Sequence, residues 1–414
     1  MSDETTTRTH DEDASGTATT RDTAHAVSAG VVTALVGFTS AFAVVLAGLR
    51  SVGADPQQAA SGLLAVTVAM GLATALLAWR TRMPITVAWS TPGAALLAGT
   101  GAVTGGWSAA IGGFVVCGLL LAAVGFSARL ERWVRLIPVP LANAMLAGVL
   151  LQLCLQPVRA LVDAPLLVAP VVITWLVLLR LARRWAVPAA MGLAVALAWT
   201  SADVRALTVA DLAPQLVWTT PTLTWAALVS VALPLFVVTM ASQNIPGTAV
   251  LAGFGYTVPL RRSMLVTGAG TVLAAPFGGH AINLAAISAA LAAGPEAGRD
   301  PRGRWRAALT AGGGYVLLGI GSAAVAAIAL AAPDGLVAAG AGLALVGTMA
   351  AALGAAFRLE ADDPGTPGMR EAAAVTLLVT VSGIAPLRIS AAFWGLLAGI
   401  VTLLVLRAPR WSRI

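Results

Sequence analysis

Long apolar runs follow one another along almost the whole chain, from Ala26 to Leu406. Only 10% of the 414 residues are charged and 58% are hydrophobic, whereas a soluble domain averages about 25% charged residues. So few charged side chains cannot cover a water-soluble globule of this size. The runs are long and do not alternate apolar with polar residues. This pattern predicts an all-α polytopic membrane protein and argues against a β-barrel.

We divide the apolar sequence into fourteen segments, each of which is predicted to cross the membrane. Several are short for a hydrocarbon core of about 30 Å. The third and the tenth segments are interrupted by Pro, Gly and small polar residues. The approximate limits of the segments are 26–49, 57–79, 84–100, 105–127, 138–157, 164–181, 185–201, 221–243, 258–275, 276–293, 306–331, 335–357, 370–386 and 389–406.

The basic residues are all arginines, and most lie in short clusters between the apolar segments. When the N-terminus is placed in the cytoplasm, nineteen of the 25 arginines fall in or beside cytoplasmic loops and four in external loops. This asymmetry follows the positive-inside rule and predicts cytoplasmic N- and C-termini. The same clustering argues against nucleic-acid binding, which the net charge of +7 alone would allow.

Fourteen segments divide into two halves of seven, and an odd number places the second half upside down relative to the first. The two interrupted segments fall in matching places of the two halves. At an offset of 192 residues, Pro84 aligns with Pro276 and Thr91 aligns with Asn283. Paired interruptions of this kind indicate the binding site of a secondary transporter. The alternative, that Gly and Pro are simply common in membrane helices, explains either interruption but not their match.

The predicted organisation has five parts. Residues 1–25 are rich in Thr, Ser, Asp and Glu, which predicts a disordered cytoplasmic tail. Two inverted repeats, at 26–201 and 221–406, are joined by a connecting segment at 202–220. A short cytoplasmic tail at 407–414 ends the chain.

Backbone that unwinds inside a membrane is tolerated only where it is buried in protein or lines a cavity. We therefore expect extended stretches at Ile85–Trp89 and Phe277–Ala281, followed by short helices that begin near Thr91 and near Asn283. Two helix N-termini that point at one site bind an anion without any cationic side chain.

The first of these helices carries a start signal, because Ser90 or Thr91 suits an N-cap and Pro92 suits the first helical turn. The aromatic residues near the site are also typical of ordinary helix packing, and both interpretations remain open for each of them. The predicted donors to a bound carboxylate are Ser90, Thr91, the Gly93 backbone and Asn283, and the predicted aromatic walls are Phe38, Trp89 and Phe277.

The eighth segment ends in three consecutive polar residues, Ser242, Gln243 and Asn244, before Pro246 and Gly247. More apolar sequence follows, so we predict that these three side chains line the cavity and bind the substrate. The alternative is a helix end at the membrane interface with polar caps.

His280 is the one ionisable residue predicted near the membrane centre. An ionisable group at that depth indicates function, and an imidazole exchanges protons near neutral pH. We predict that His280 binds the substrate and carries the coupled proton. The alternative is a neutral imidazole that fixes the unwound backbone. No metal-binding motif occurs, and no cofactor is predicted.

Four stretches resemble a known family: ITVAWSTPGAALLAG at 85–99, ASQNIPGTAVL at 241–251, FGGHAINLAAISAALAAGPEA at 277–297 and AAFWGLLAG at 391–399. They closely resemble the benzoate:proton symporter family, and the resemblance covers essentially the whole chain after residue 26. It implies a secondary active transporter that imports benzoate, or a related aromatic carboxylate, with protons across the bacterial inner membrane.

That family is similar to uracil- and xanthine-type transporters. The similarity implies a core domain of segments 1–4 and 8–11, a gate domain of segments 5–7 and 12–14, and a homodimer formed through the gates. In those relatives acidic residues on the eighth and tenth segments hold the substrate. Here the matching regions have Ser242, Gln243 and Asn244, and Ile282 next to Asn283, which fits a substrate that is itself an anion.

Three alternatives to benzoate import stay open. A transporter of the same fold could carry a nucleobase, or it could carry another anion. The protein could also act as a passive channel. A membrane-embedded enzyme is disfavoured, because it would need several carboxylates, histidines or cysteines around one cavity.

Overall fold

The computed structural model describes residues 4–127, 138–333, 335–358, 368–384, 386 and 391–407, with side chains from residue 22 onward except at positions 184 and 287. The described chain is mainly helical and includes two short strands. The first half contains α1 (Glu4–Thr39), α2 (Phe42–Ser51), α3 (Pro56–Thr81), β1 (Val87–Trp89), α4 (Thr91–Thr100), α5 (Gly106–Phe126), α6 (Val139–Cys154), α7 (Gln156–Asp163), α8 (Pro165–Leu181) and α9 (Ala186–Ala198). The second half contains α10 (Trp225–Gly253), α11 (Leu260–Ala274), β2 (Ile282–Leu284), α12 (Ile287–Ala293), α13 (Trp305–Ala331), α14 (Leu336–Phe357), α15 (Met369–Val381) and α16 (Ala391–Arg407).

The fourteen predicted segments each coincide with helical structure or with a strand and the helix after it. Seven helical stretches among the described residues are long and apolar enough to cross a membrane, and α8, α9 and α16 are shorter apolar helices. The predicted all-α polytopic architecture is therefore confirmed.

The packing of the two halves follows an inverted repeat. Helix α3 packs along α13, and α11 packs along α5. Helices α3 and α13 are segments 2 and 11, and helices α11 and α5 are segments 9 and 4. Segment 2 corresponds to segment 9 in the other repeat, and segment 4 corresponds to segment 11. The two packed pairs are therefore equivalent. The fifth and twelfth segments, α6 and α14, are also equivalent in the two repeats, and they pack on each other.

The connecting segment joins the halves as an ordered strap. After two one-turn helices, residues 213–224 form neither helix nor strand. The Val217 N–H donates to the Ser61 hydroxyl of α3 at 2.8 Å. The Thr219 N–H donates to the Pro276 carbonyl after α11 at 2.7 Å, and the Thr222 N–H donates to the Ser108 carbonyl of α5 at 2.9 Å. The strap therefore binds three helices from both repeats.

Several boundaries differ from the sequence-based expectation. Helix α1 begins at Glu4, so the backbone is helical through most of the segment predicted to be disordered. Extending an existing helix fixes one residue for each added hydrogen bond, so a polar run that precedes an apolar helix can remain helical. A bend at residues 40–41 divides the first apolar segment into α1 and α2. Apart from Arg407, the predicted C-terminal tail lies outside the described residues.

The second interruption lies further along the chain than predicted. The extended stretch is β2 rather than Phe277–Ala281, and α12 begins at Ile287 rather than near Asn283. Phe277 ends a 3-10 turn, and Gly278 follows it with a φ of +93°. This left-handed turn shifts the start of the strand towards the C-terminus. Equivalent residues of the two repeats, such as Ala88 and Asn283, are therefore 195 residues apart in sequence, instead of the 192 expected.

Gly278 tests how much stability this turn contributes. An added Cβ would lie 2.9 Å from the Gly62 Cα of α3, and a non-glycine residue at positive φ costs about 1–3 kcal/mol. We expect Gly278→Ala to lower the melting temperature of the detergent-solubilised protein by several degrees. Gly313→Ala is the control, because no heavy atom lies within 4 Å of its added Cβ. Equal melting temperatures for the two variants would contradict this account.

Candidate functional site

Strands β1 and β2 form a two-stranded antiparallel sheet between the repeats, with Ala88 opposite Asn283 at its centre. Past the end of β1, the Ser90 N–H donates to the Ala281 carbonyl at 2.8 Å and brings the start of α4 beside the second interruption. Each unwound segment thus supplies the backbone partners that the other lacks. Extended backbone is present at both interruptions, although at the second it lies further along the chain than predicted.

Helices α3 and α11 satisfy part of the outer edges of this small sheet. The Thr74 hydroxyl of α3 accepts a hydrogen bond from the Val87 N–H at 2.9 Å. The Thr271 hydroxyl of α11 accepts one from the Ile282 N–H at 3.1 Å. Both threonines also donate to a carbonyl one turn earlier in their own helix. Helices α3 and α11 are the second segments of their repeats. The two threonines therefore hold the two strands from equivalent positions.

The three polar residues predicted on the eighth segment have different surroundings in α10. The Asn244 Oδ1 accepts from the Leu284 N–H at 2.8 Å, and its Nδ2 donates to the Met240 sulfur at 3.2 Å. Asn244 therefore holds β2 in place through its amide oxygen, and these contacts use only one of the two Nδ2 hydrogens. Ser242 is buried, and its hydroxyl has no partner among the described residues. Gln243 is half-buried.

Ser90 caps α4 as the sequence predicts. Its hydroxyl accepts from the Gly93 N–H at 3.1 Å, and its carbonyl accepts from the Ala94 N–H at 2.7 Å. Pro92 has no N–H to offer. The predicted Gly93 backbone donor is therefore already used inside the helix, and the Thr91 amide is the free donor of the first turn in the described structure.

His280 is fully buried beside the start of α4. Its Nε2 lies 3.3 Å from the Ser90 carbonyl oxygen. A carbonyl can only accept, so Nε2 carries the hydrogen in the neutral ring and Nδ1 is an unprotonated acceptor. No described group bonds Nδ1. Arg304, the other basic residue buried in the described chain, donates to the Ala293 carbonyl at the end of α12 and to the Gly298 carbonyl beyond it.

Asn283 presents a second unpaired acceptor. Its Nδ2 donates to the Leu284 carbonyl at 2.8 Å, and its Oδ1 is buried with no described partner. Opposite it, Ala88 is half-buried, whereas the other strand residues are fully buried. Ala88 is therefore the strand residue with the greatest exposure in this small sheet.

The structure brings together two of the three predicted aromatic residues. The rings of Phe38 and Trp89 lie 5.6 Å apart, and Phe38 stacks on Phe42 at the same distance. Phe277 instead packs edge-on against Trp218 of the strap, with ring centroids 5.3 Å apart. Among the described residues, Phe277 has no ring contact with Phe38 or Trp89.

Sequence reasoning missed Thr74, Thr271 and Thr239, which bond the unwound segments from neighbouring helices. Isolated threonines in apolar helices usually bond their own backbone, so their presence alone gives no signal. An alignment of the two repeats at the structural offset would have paired Thr74 approximately with Thr271. Thr239 has no counterpart in the first repeat, where Val44 lies 195 residues earlier.

Residues 21–405 match the profile of the family described as benzoate membrane transport protein, BenE. The chain belongs to the BenE family. It is 38% identical over 378 residues to the inner membrane protein YdcO of Escherichia coli, covering 91% of this chain and 95% of that one. It is 27% identical over 387 residues to the benzoate membrane transport protein of Acinetobacter baylyi, covering 94% and 96%.

Two solved structures share the fold of this BenE-family chain at low sequence identity. The transmembrane domain of the cyanobacterial bicarbonate transporter BicA matches with a TM-score of 0.54 and 15% identity, over 92% of this chain and 97% of that one. SLC26A9 matches with a TM-score of 0.59 and 13% identity, over 91% of this chain and 64% of that one. These are inverted-repeat transporters of seven plus seven segments, so the predicted fold class is confirmed. The family consists of membrane transporters, and the prediction that the chain is not an enzyme is also confirmed.

Asn244 provides a test of the site's construction. Replacement by leucine leaves the buried Leu284 N–H without an acceptor, which costs about 1–3 kcal/mol. We expect Asn244→Leu to lower the melting temperature in detergent by several degrees. Gln243→Leu, one residue away and half-buried, should change it little. A stable Asn244→Leu protein would show that β2 does not depend on this amide.

Proposed function

We propose that this transporter imports benzoate or a closely related aromatic carboxylate, together with protons, across the bacterial inner membrane. Membership of the BenE family and the Acinetobacter baylyi relative, whose name gives its substrate, support this proposal. The arginine asymmetry supports cytoplasmic N- and C-termini.

The observation that carries the proposal is that, in the described chain, the first unwound segment has a free hydrogen-bond donor, whereas the second has free acceptors. The first segment presents a donor, the Thr91 amide, at the N-terminus of α4, where the helix dipole also favours negative charge. The second segment presents two buried acceptors, His280 Nδ1 and Asn283 Oδ1. A carboxylate can use only the donor, whereas a carboxylate that arrives with a proton can satisfy both sides.

His280 is the proposed proton carrier. Uptake of a proton at Nδ1 turns a buried acceptor into a charged donor, and the Ser90 carbonyl keeps the other ring nitrogen in place. A charged imidazole is costly to bury alone. Beside a bound carboxylate it becomes part of a neutral, charge-assisted pair. Proton and substrate therefore bind together more favourably than either binds alone, which is the requirement for symport.

The Phe38–Trp89 pair is the proposed wall for the substrate's ring. Both residues are buried at 2% exposure, and Trp89 directly precedes the Ser90 cap. Aromatic rings at this spacing pack on one another in tilted or offset arrangements. A substrate whose aromatic ring packs beside Trp89 would have its carboxylate directed towards Thr91. This relation favours an aromatic acid over a small inorganic anion.

Alternating access is the proposed mode of transport. Helix α3 packs along α13 and helix α11 packs along α5, while α3 and α11 contact each other and the paired strands. The strap ties α3 and α5 to the end of α11. We propose that segments 1–4 and 8–11 move as one body against segments 5–7 and 12–14 and carry the site between the two faces.

Uptake into proteoliposomes tests this function. With an alkaline interior, we expect labelled benzoate to accumulate above its external concentration and to be released by a protonophore. Unlabelled uracil and bicarbonate should compete weakly, whereas other aromatic acids should compete well. Equilibration without accumulation would indicate a channel. Competition by uracil or bicarbonate rather than by aromatic acids would redirect the substrate assignment.

Replacement of His280 separates coupling from binding. Glutamine can still donate to the Ser90 carbonyl but cannot take up a proton. We expect His280→Gln to lose pH-driven accumulation of benzoate while retaining benzoate exchange between equal pH values. Unchanged accumulation with the wild-type dependence on pH would remove His280 from the coupling mechanism.

A further inference from the structure

The hydroxyls of Ser90 and Thr239 contact each other across the two repeats. Their oxygens lie 2.8 Å apart, and both residues are fully buried. Ser90 is the N-cap of α4 in the first repeat, whereas Thr239 lies within α10 in the second. Thr239 is therefore linked directly to the helix start at which the proposed substrate site is built.

The hydrogen bonds of this pair leave one donor unused. Two hydroxyls carry two hydrogens, and the bond between them uses one. Ser90 Oγ also accepts from the Gly93 N–H at 3.1 Å. Within the described residues neither oxygen has a further hydrogen-bond partner. One buried O–H group therefore lacks an acceptor, whichever oxygen donates across the pair, and an unmet buried donor costs about 1–3 kcal/mol.

The two possible directions of this hydrogen bond place the spare hydrogen in different positions. If Thr239 donates, both acceptor sites of Ser90 Oγ are filled and its hydrogen must point away from the protein's own acceptors. Ser90 directly precedes Thr91, whose amide is also free, so a single acceptor from outside can satisfy both donors. If Ser90 donates instead, the spare hydrogen lies within α10, separated from that amide.

We propose that Thr239 donates to Ser90 and thereby fixes the Ser90 hydroxyl as a donor to the substrate's carboxylate. This inference rests on the proposed function and adds a specificity-determining residue to it. Thr239 acts through Ser90 and is a positioning residue. Its effect is to favour ligand groups that only accept hydrogen bonds. A hydroxyl free to rotate would serve an amide, which has both donors and an acceptor, almost equally well.

Binding measurements on purified full-length protein test the proposal with benzoate and its neutral analogue benzamide. Thr239→Val keeps the side-chain shape and removes the hydroxyl. We expect it to weaken benzoate binding about tenfold, as for the loss of one oriented hydrogen bond to a charged group, and to change benzamide binding by less than about threefold. Thr239→Ser keeps the hydroxyl and should bind benzoate within about threefold of the wild type.

Two further variants complete the experiment. Thr376→Val is the matched control, because Thr376 is a buried threonine of α15 that bonds only a carbonyl of its own helix among the described residues; it should bind benzoate like the wild type. Ser90→Ala should weaken benzoate binding at least as much as Thr239→Val. Adding Thr239→Val to Ser90→Ala should cause no further loss, because Thr239 then has no hydroxyl to orient.

The outcomes separate this inference from the proposed function. Wild-type protein that binds no benzoate would overturn both. Benzoate binding that is unchanged in Thr239→Val, or reduced equally for benzoate and benzamide, would overturn the role of Thr239 alone. Wild-type affinity in Ser90→Ala would overturn it as well, even if Thr239→Val failed to fold.

Discussion

The pairing of β1 with β2 is the interaction on which the rest of the structure depends. Two segments of a membrane protein leave the helical conformation, and their backbone groups then need partners that lipid cannot supply. The ladder centred on Ala88 and Asn283 provides those partners between the two repeats. Because each strand completes the other, neither half of the protein can build the site alone. The inverted repeat is therefore a consequence of backbone hydrogen bonding as much as of duplication.

Polar side chains from neighbouring helices hold the unwound segments in two ways. Thr74 and Thr271 bond β1 and β2 from equivalent helices of the two repeats. Thr239 and Asn244 both lie on α10 and bond the start of α4 and the strand β2. The corresponding stretch of the first repeat is apolar, with Val44 and Leu49 at the equivalent positions. The symmetric contacts hold the sheet, and the asymmetric contacts make its two sides chemically different.

Much of the fold could be predicted from sequence, because apolar length, arginine bias and paired interruptions report directly on membrane topology. The start of α4 was predictable from Ser90 and Pro92, since cap and N-terminal proline are local signals. The start of α12 was not, because it depends on the positive φ of Gly278 and on strand register, which is a contact between distant segments. The same reason explains Asn244. Its sequence neighbours indicate a polar cluster, but only the folded chain shows that the amide oxygen of Asn244 bonds β2.

The chemical difference between the two strands also bears on why a proton should accompany the anion. A site built from helix N-termini alone would hold a carboxylate through donors, and release would then require breaking every one of those bonds. In the proposed mechanism the second repeat contributes two acceptors, His280 Nδ1 and Asn283 Oδ1, which repel a bare carboxylate and can bond one only when a proton lies between them. Loss of that proton to the cytoplasm would restore the repulsion and favour release of the substrate. Binding and release of the proposed substrate would then be controlled by one proton, without a charged residue fixed in the membrane to hold the anion permanently.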